Sequence, residues 1–148
     1  MRFVLTVTLA TLAVSPAAFA ASDKVLDQRE MAALEARAAQ AAPKEQCFLY
    51  AELAHSMTEL ASQQLSAGDT AKASASLKAV QAYAEKIHMG VADDAKKLKT
   101  AEIMMRHTAY RLKELMLGAP VDDRPTLEST LRQLDQVQAE MMLQVFKR

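Results

Sequence analysis

Two pairs of side chains in this sequence have the spacing of metal ligands. Glu52 is followed three residues later by His55, and Glu85 is followed in the same way by His88. Carboxylate and imidazole groups one helical turn apart can ligate a metal when they project into a bundle interior. On a helical wheel, however, His55 falls with Glu59 opposite the apolar side of its helix, and Glu85 also lies away from the next apolar side. We therefore expect solvated charges at these positions and no metal site.

Methionine side chains offer a second set of possible ligands. Met104 and Met105 lie close to His107 in the sequence, and sulfur together with imidazole suits copper(I). Methionine is more often a flexible filler of helical cores, and Met57 and Met141 fall at expected core positions. The sequence contains no haem attachment motif, glycine-rich phosphate loop, zinc signature or nucleophile elbow. We accordingly predict no catalytic, cofactor-binding or metal-binding residues, and no enzymatic activity.

Cys47 is the only cysteine of the chain, which excludes an intrachain disulfide. Its position beside Phe48, at the flank of the first apolar helix face, favours a small buried side chain. An intermolecular disulfide and a catalytic thiol stay open as alternatives. No neighbouring histidine and asparagine, and no second cysteine, supports the catalytic alternative.

The first twenty residues have the order of a secretory signal peptide. Arg2 supplies a positive charge, residues 3–14 form an apolar run, and Ala18-Phe19-Ala20 gives a small-x-small cleavage site. The run is short for a membrane anchor, so we expect cleavage near Ala20/Ala21. The mature protein is then expected in a periplasm or outside the cell, without stable membrane insertion.

The composition favours an all-α domain. Hydrophobic residues make up 51% of the chain and aromatic residues 5%, with three glycines and four prolines. Such a composition suits closely packed helices and disfavours strands. The formal net charge is zero, from 18 basic and 18 acidic residues. Because we identify no basic excess and no basic stripe, we expect no nucleic-acid partner.

Apolar periodicity and helix-stop residues predict four helices in residues 43–148. Gly68, Gly90 and Gly118 each fall at a predicted helix end, and Pro43 separates this region from residues 21–42. Short links between amphipathic helices predict an antiparallel up-down four-helix bundle. Residues 21–42 are an additional N-terminal helical segment with a thin apolar stripe, expected to pack weakly or to stay mobile. The expected core faces of the four helices are Leu49, Leu53, Met57, Leu60 and Ala61; Ala73, Leu77, Val80, Ala84 and Ile87; Ala95, Leu98, Ala101, Met105, Leu112 and Met116; and Leu127, Leu131, Leu134, Val137, Met141 and Val145.

A second apolar line runs along the third of these helices, well around it from the core face. Ile103, Tyr110 and Leu117 recur every seven residues, with His107 between them. Large apolar side chains aligned in this way are unusual on a solvated surface. We expect the N-terminal segment to cover the line. The alternatives are that the helix is central and buries two faces, or that a second subunit or a partner's helix docks there.

These features together predict a small secreted helical-bundle protein that acts by binding. An accessory or chaperone-like interaction module, without a catalytic site, fits the absence of any reactive constellation in the sequence. The alternative is a metal- or small-ligand-binding bundle in the periplasm. The expected partner is another protein or a second copy of the chain.

Overall fold

Five α-helices account for most of the residues that the structure describes. The computed structural model describes residues 25–89 and 95–146. Its helices are α1 (Gln28–Gln40), α2 (Pro43–Ser66), α3 (Thr70–Met89), α4 (Ala95–Gly118) and α5 (Arg124–Phe146). The prediction of an all-α fold is confirmed, and no strand occurs in these two ranges. The predicted signal peptide, residues 1–20, lies outside the described residues, as does Gly90.

The turn between α2 and α3 follows the chemistry that its sequence predicts. Gly68 has a φ of 77°, a left-handed conformation that favours glycine. The amide of Gly68 donates to the carbonyl of Leu65 at 3.0 Å, and the amide of Asp69 donates to that of Gln64 at 2.8 Å. These two bonds form a Schellman motif, which satisfies carbonyl groups at the end of α2. The Asp69 carboxylate then accepts the backbone amide of Lys72 in the first turn of α3.

The first helix begins with a capping box that our sequence analysis did not identify. Asp27 Oδ1 accepts the amide of Glu30 at 2.7 Å, and Glu30 Oε2 accepts the amide of Asp27 at 2.9 Å. This reciprocal pair satisfies two amides at the helix start. α1 lies against α2 and buries Met31, Leu34 and Ala38. The thin apolar stripe therefore contributes three residues to the core.

The four longer helices bury the faces that their periodicity predicts. Leu53, Leu77, Met105 and Leu134 are each at most 1% exposed. Burying a side chain of this size contributes roughly 1.5–3 kcal/mol. The predicted core residues with described side chains are all buried or half-buried, the half-buried ones being Met57, Leu60, Met116 and Leu131. None of the helices within the described ranges combines the length and the apolar character needed to span a bilayer.

The helices are not all packed against their neighbours in sequence. In the described part of the chain, α2 packs against α1, α3 and α4, and α5 packs against α3 and α4, whereas α3 and α4 are not in contact. Between α2 and α4, Lys97 donates to Glu45 near the helix starts, and Arg111 donates to Glu59 farther along. In each pair, the two residues are 52 positions apart in the sequence. Because this separation is constant, α2 and α4 run in the same direction, and the α2/α3 hairpin stacks on the α4/α5 hairpin.

Candidate functional site

The outer face of α4 carries the residues that the sequence indicates as an interface. Ile103, Tyr110 and Leu117 are 42%, 64% and 87% exposed, and His107 is exposed beside them. We call the first three the apolar line. Neither α2 nor α5 buries it. The described part of residues 21–42 does not cover it either, because α1 contacts α2 and not α4. Our expectation that the N-terminal segment covers the apolar line is therefore wrong.

The other exposed large apolar side chains belong to the same hairpin. Val121 follows α4, and Met142, Leu143 and Phe146 lie on α5, with exposed fractions from 39% to 78%. Among the described residues, no large apolar side chain of α1, α2 or α3 is exposed. The exposed apolar surface is thus concentrated on the α4/α5 hairpin, which is the usual mark of a contact surface.

Charged residues with seven-residue spacing border the apolar line. On α4, Lys99, Arg106 and Lys113 are exposed and form a basic row, about 40–60° around the helix from the apolar line at 100° per residue. On the outer face of α5, Glu128 and Asp135 are exposed seven residues apart and form an acidic pair. The near-zero net charge of the whole chain conceals both groups, and neither was predicted from the sequence. The seven-residue spacing was the signal that could have revealed them.

His55 and Glu59 of α2 lie against α4 instead of facing open solvent, which corrects their helical-wheel assignment. Glu59 is only 8% exposed, and its two carboxylate oxygens lie 3.2 and 3.3 Å from Nε of Arg111. Nδ1 of His55, which is half-buried, lies 3.1 Å from Oγ1 of Thr108. The wheel assumed one buried side, whereas α2 packs against α3 and α4 on different sides. We call this polar contact between α2 and α4 the polar seam.

The polar seam is a closed network and not an open reactive site. Arg111 also donates to Oγ of Ser62 at 3.0 Å and to Glu114 at 3.1 Å. The pKa of its guanidinium is raised, first by the hydrogen bond to Glu114 and also by the charge of Glu59. A guanidinium that is engaged on several sides holds helices together and has little capacity left for a ligand.

The residues proposed as metal ligands do not converge. Within residues 25–89 and 95–146, no group of three or more histidine, cysteine, aspartate or glutamate side chains could hold a metal ion. Glu85 is exposed, and the side chain of His88 lies outside the described residues. Met104, one helical turn before His107, is half-buried, and His107 is exposed.

The Cys47 thiol is buried and is expected to be unreactive in the folded protein. Its residue is 1% exposed, and this burial raises the thiol pKa to about 11. The nucleophilic thiolate is then scarce near neutral pH. Burial also keeps the sulfur away from another molecule, so neither the catalytic nor the intermolecular-disulfide alternative gains support.

A cleft of about 690 Å³ opens between the start of α1 and the α2/α3 hairpin. Its size falls in the range of small-molecule sites. Its lining is mostly apolar and includes Leu26, Met31, Met57 and Leu60. Lys72 lies at its edge, but the ammonium is already paired with Asp69 at 2.5 Å. The cleft therefore offers apolar contacts and few unengaged polar groups.

Comparison with known proteins adds no relative to these observations: the chain matches no protein-family model, no curated protein and no solved structure. Its function is therefore inferred from its own residues and their geometry.

Proposed function

We propose that this is a small secreted helical-bundle protein that acts by binding another protein chain through the outer face of the α4/α5 hairpin. One observation carries the proposal: the exposed large apolar side chains of the described residues all lie on this hairpin. Such a surface presents apolar contact area beside the basic row, with no reactive group, and so suits an accessory or chaperone-like role better than catalysis. The order of charge, apolar run and cleavage site in residues 1–20 supports a periplasmic or extracellular location.

The proposal includes a four-helix bundle formed by α2 to α5, in which direction alternates along the chain and the parallel helices α2 and α4 are neighbours, with α1 as an additional helix. Tyr50 stacks on Tyr83, and Gln64 bonds Ser76, which supports opposite directions for α2 and α3. The neighbour pairs α2/α3, α3/α5, α5/α4 and α4/α2 form a closed ring, as four helices around one core do. In this arrangement α3 and α4 occupy opposite corners of the bundle.

Photo-cross-linking in intact cells tests the binding surface directly. A photo-reactive residue replaces Tyr110 on the apolar line in one variant and Lys78, exposed on α3, in a matched control. We expect a discrete adduct, containing either a second copy or another protein, from position 110 and not from position 78. Equal labelling from the two positions, or no adduct from either, would contradict the proposal.

A second candidate function is the binding of a small apolar ligand in the cleft beside α1, which its volume and lining favour. Ala79→Trp fills this cleft, whereas Ala82→Trp places the same ring on the exposed side of α3. An apolar fluorescent probe should lose its binding in the first variant and keep it in the second. A probe that binds equally to both variants would remove the cleft from consideration.

A further inference from the structure

We propose that the occupant of the outer face of the α4/α5 hairpin is a second copy of this chain, related to the first by a two-fold axis parallel to the helices. This inference rests on the proposed function, because it names the partner of the same surface. In such a dimer, α4 of each copy packs on α5 of the other, and the apolar line of both copies is covered.

Opposite charges on the two outer faces determine how the copies stack. α4 presents the basic row, and α5 presents the acidic pair, with exposed Arg132 between the two acidic residues in the sequence. A two-fold axis perpendicular to the helices, within the plane of contact, would place α4 on α4 and the basic row against itself. An axis parallel to the helices places α4 on α5, and therefore the basic row against the acidic pair. Charge complementarity of this kind selects one arrangement among several apolar ones.

The levels of the charged residues along the bundle agree with this pairing. Gln138 of α5 donates to Glu102 of α4 at 3.3 Å, so these two residues of one chain are level. Lys113 lies eleven residues after Glu102, and Glu128 lies ten residues before Gln138. At a rise of 1.5 Å per residue, Lys113 and Glu128 are then level within about 1.5 Å.

Rotation about an axis parallel to the helices leaves every residue at its own level. Lys113 of one copy therefore meets Glu128 of the other, and the symmetry repeats this contact. Arg106 and Asp135 are level by the same measure, four residues after Glu102 and three before Gln138, but Arg106 already donates to Glu102 of its own chain at 2.6 Å. In the described ranges, neither Lys113 nor Glu128 has an ion-pair or hydrogen-bond partner within the chain, so both are free to pair across the interface.

The proposed dimer also covers apolar side chains on the outer faces of α4 and α5. Ile103 follows Glu102 directly, and Ala139 follows Gln138 directly, so their levels differ by about 3 Å in the antiparallel pair. Met142, exposed on α5, lies one turn farther along. Ile103 is therefore the member of the apolar line that lies nearest the exposed end of α5 in the other copy. Tyr110, eight residues after Glu102, is level with Thr130 and lies beside the ionic contacts.

Mixing two charge-reversal variants tests this geometry with the full processed protein. Lys113→Glu puts like charges at both symmetric contacts, and Glu128→Lys does the same with the opposite sign. We expect each variant alone to dimerise about tenfold more weakly than wild type in sedimentation equilibrium, since two attractive contacts become repulsive. In an equimolar mixture, every contact between the two variants again joins a lysine to a glutamate. A heterodimer with near wild-type affinity should therefore form, observed by native mass spectrometry.

The design separates contacts between chains from contacts within one chain. Each variant chain carries two like charges at positions 113 and 128, so recovery on mixing arises only between chains. Lys78→Glu, on the exposed side of α3, is the matched control and should leave the dimerisation constant unchanged. Tighter dimerisation of Lys113→Glu alone would indicate α4 stacked on α4 and would overturn the proposed axis. Absence of the heterodimer would overturn it as well.

Failure of the dimer and failure of the proposed function are distinguishable. A wild-type protein that stays monomeric up to about 1 mM, yet cross-links from position 110 to a different protein, overturns the dimer and leaves the binding function standing. A monomer without any adduct from position 110 overturns both.

Discussion

Arg111 stabilises more of the helix packing than its surface position suggests. Its side chain is 38% exposed, yet it joins Glu59 and Ser62 of α2 to α4. The carboxylate of Glu59 is the buried member of this pair, at 11% side-chain exposure. A buried carboxylate that loses its cation still carries the full desolvation free energy, with no ion pair to offset it.

Arg111→Ala is therefore expected to lower the free energy of unfolding by about 1–3 kcal/mol. The figure stays below that of a fully buried pair because water reaches the guanidinium. Lys72→Ala, which breaks the exposed pair with Asp69, should cost less than Arg111→Ala does, because water screens the pair. Urea denaturation of both variants measures the difference. Equal losses of unfolding free energy in the two variants would mean that the ion pair between Arg111 and Glu59 contributes no more than an exposed one.

Cys47 should react with thiol reagents only when the protein unfolds. Burial raises its pKa from 9.0 to about 11, so the folded state holds the thiol proton more tightly than the unfolded state. The resulting stabilisation is complete below pH 9 and is lost as the pH rises towards 11. The wild type should thus lose more stability across this range than Cys47→Ala does, and alkylation at pH 7 should require denaturant. Rapid alkylation of the native protein would contradict this.

The sequence predicts the apolar core well and the buried polar residues poorly, for a physical reason. Leu77 and Met105 indicate burial by themselves, since water disfavours their side chains wherever they lie. Burial of Glu59 depends on Arg111, which lies 52 residues away and on another helix. Periodicity along α2 contains no information about that partner, so His55 and Glu59 were assigned to solvent.

At the scale of the helices, α1 packs on α2 and also contacts Tyr83 of α3 through Glu35. The rings of Tyr50 and Tyr83 stack with centroids 6.2 Å apart, and Nζ of Lys86 lies 5.0 Å from the centroid of the Tyr50 ring. Burial raises the pKa of Tyr83, and Glu35 of α1, which lies beside its hydroxyl, raises it further. These contacts tie α1 to both helices of the first hairpin.

Asp27→Ala should loosen α1 without unfolding the bundle. Loss of an N-terminal cap costs about 0.5–2 kcal/mol, and α1 contacts no described helix other than α2 along its backbone. Hydrogen exchange should accelerate at α1 amides and stay unchanged in α2 to α5. Asp122→Ala, at an exposed position of the α4–α5 link, is the control. Uniform acceleration across all helices would show that α1 unfolds only with the rest.

At the scale of the whole molecule, the sequence predicts helices and core faces but not which helices adjoin. An apolar face indicates that a helix side is buried, and it does not indicate the neighbour that buries it. Short links favoured contact between α3 and α4, yet these helices do not touch in the described part of the chain. The prediction that the N-terminal segment covers the apolar line was wrong for the same reason, because α1 packs its apolar residues against α2.

Tyr110→Ala distinguishes an isolated surface residue from one at a dimer contact. At 64% exposure in the single chain, the substitution should change stability by no more than about 0.5 kcal/mol in dilute solution. Where dimers form, the wild type gains stability with protein concentration by mass action, and the variant should gain less. Melting temperatures over a hundredfold range of concentration measure both effects. Parallel curves for the two proteins would place Tyr110 outside any self-contact.

The polar seam also has a consequence for the order in which the chain folds during synthesis. Gln64 and Ser76 are 12 residues apart in the first hairpin, whereas Glu59 and Arg111 are separated by 52. Closing the longer loop costs roughly 1.3 kcal/mol more in chain entropy, and the ribosome completes the first hairpin before it makes α4. The side of α2 that then waits for α4 carries His55, Glu59 and Ser62, which water can solvate. Before the second hairpin is synthesised, the growing chain therefore exposes a polar surface there. Such a surface is less prone to aggregate with other chains than an apolar one would be.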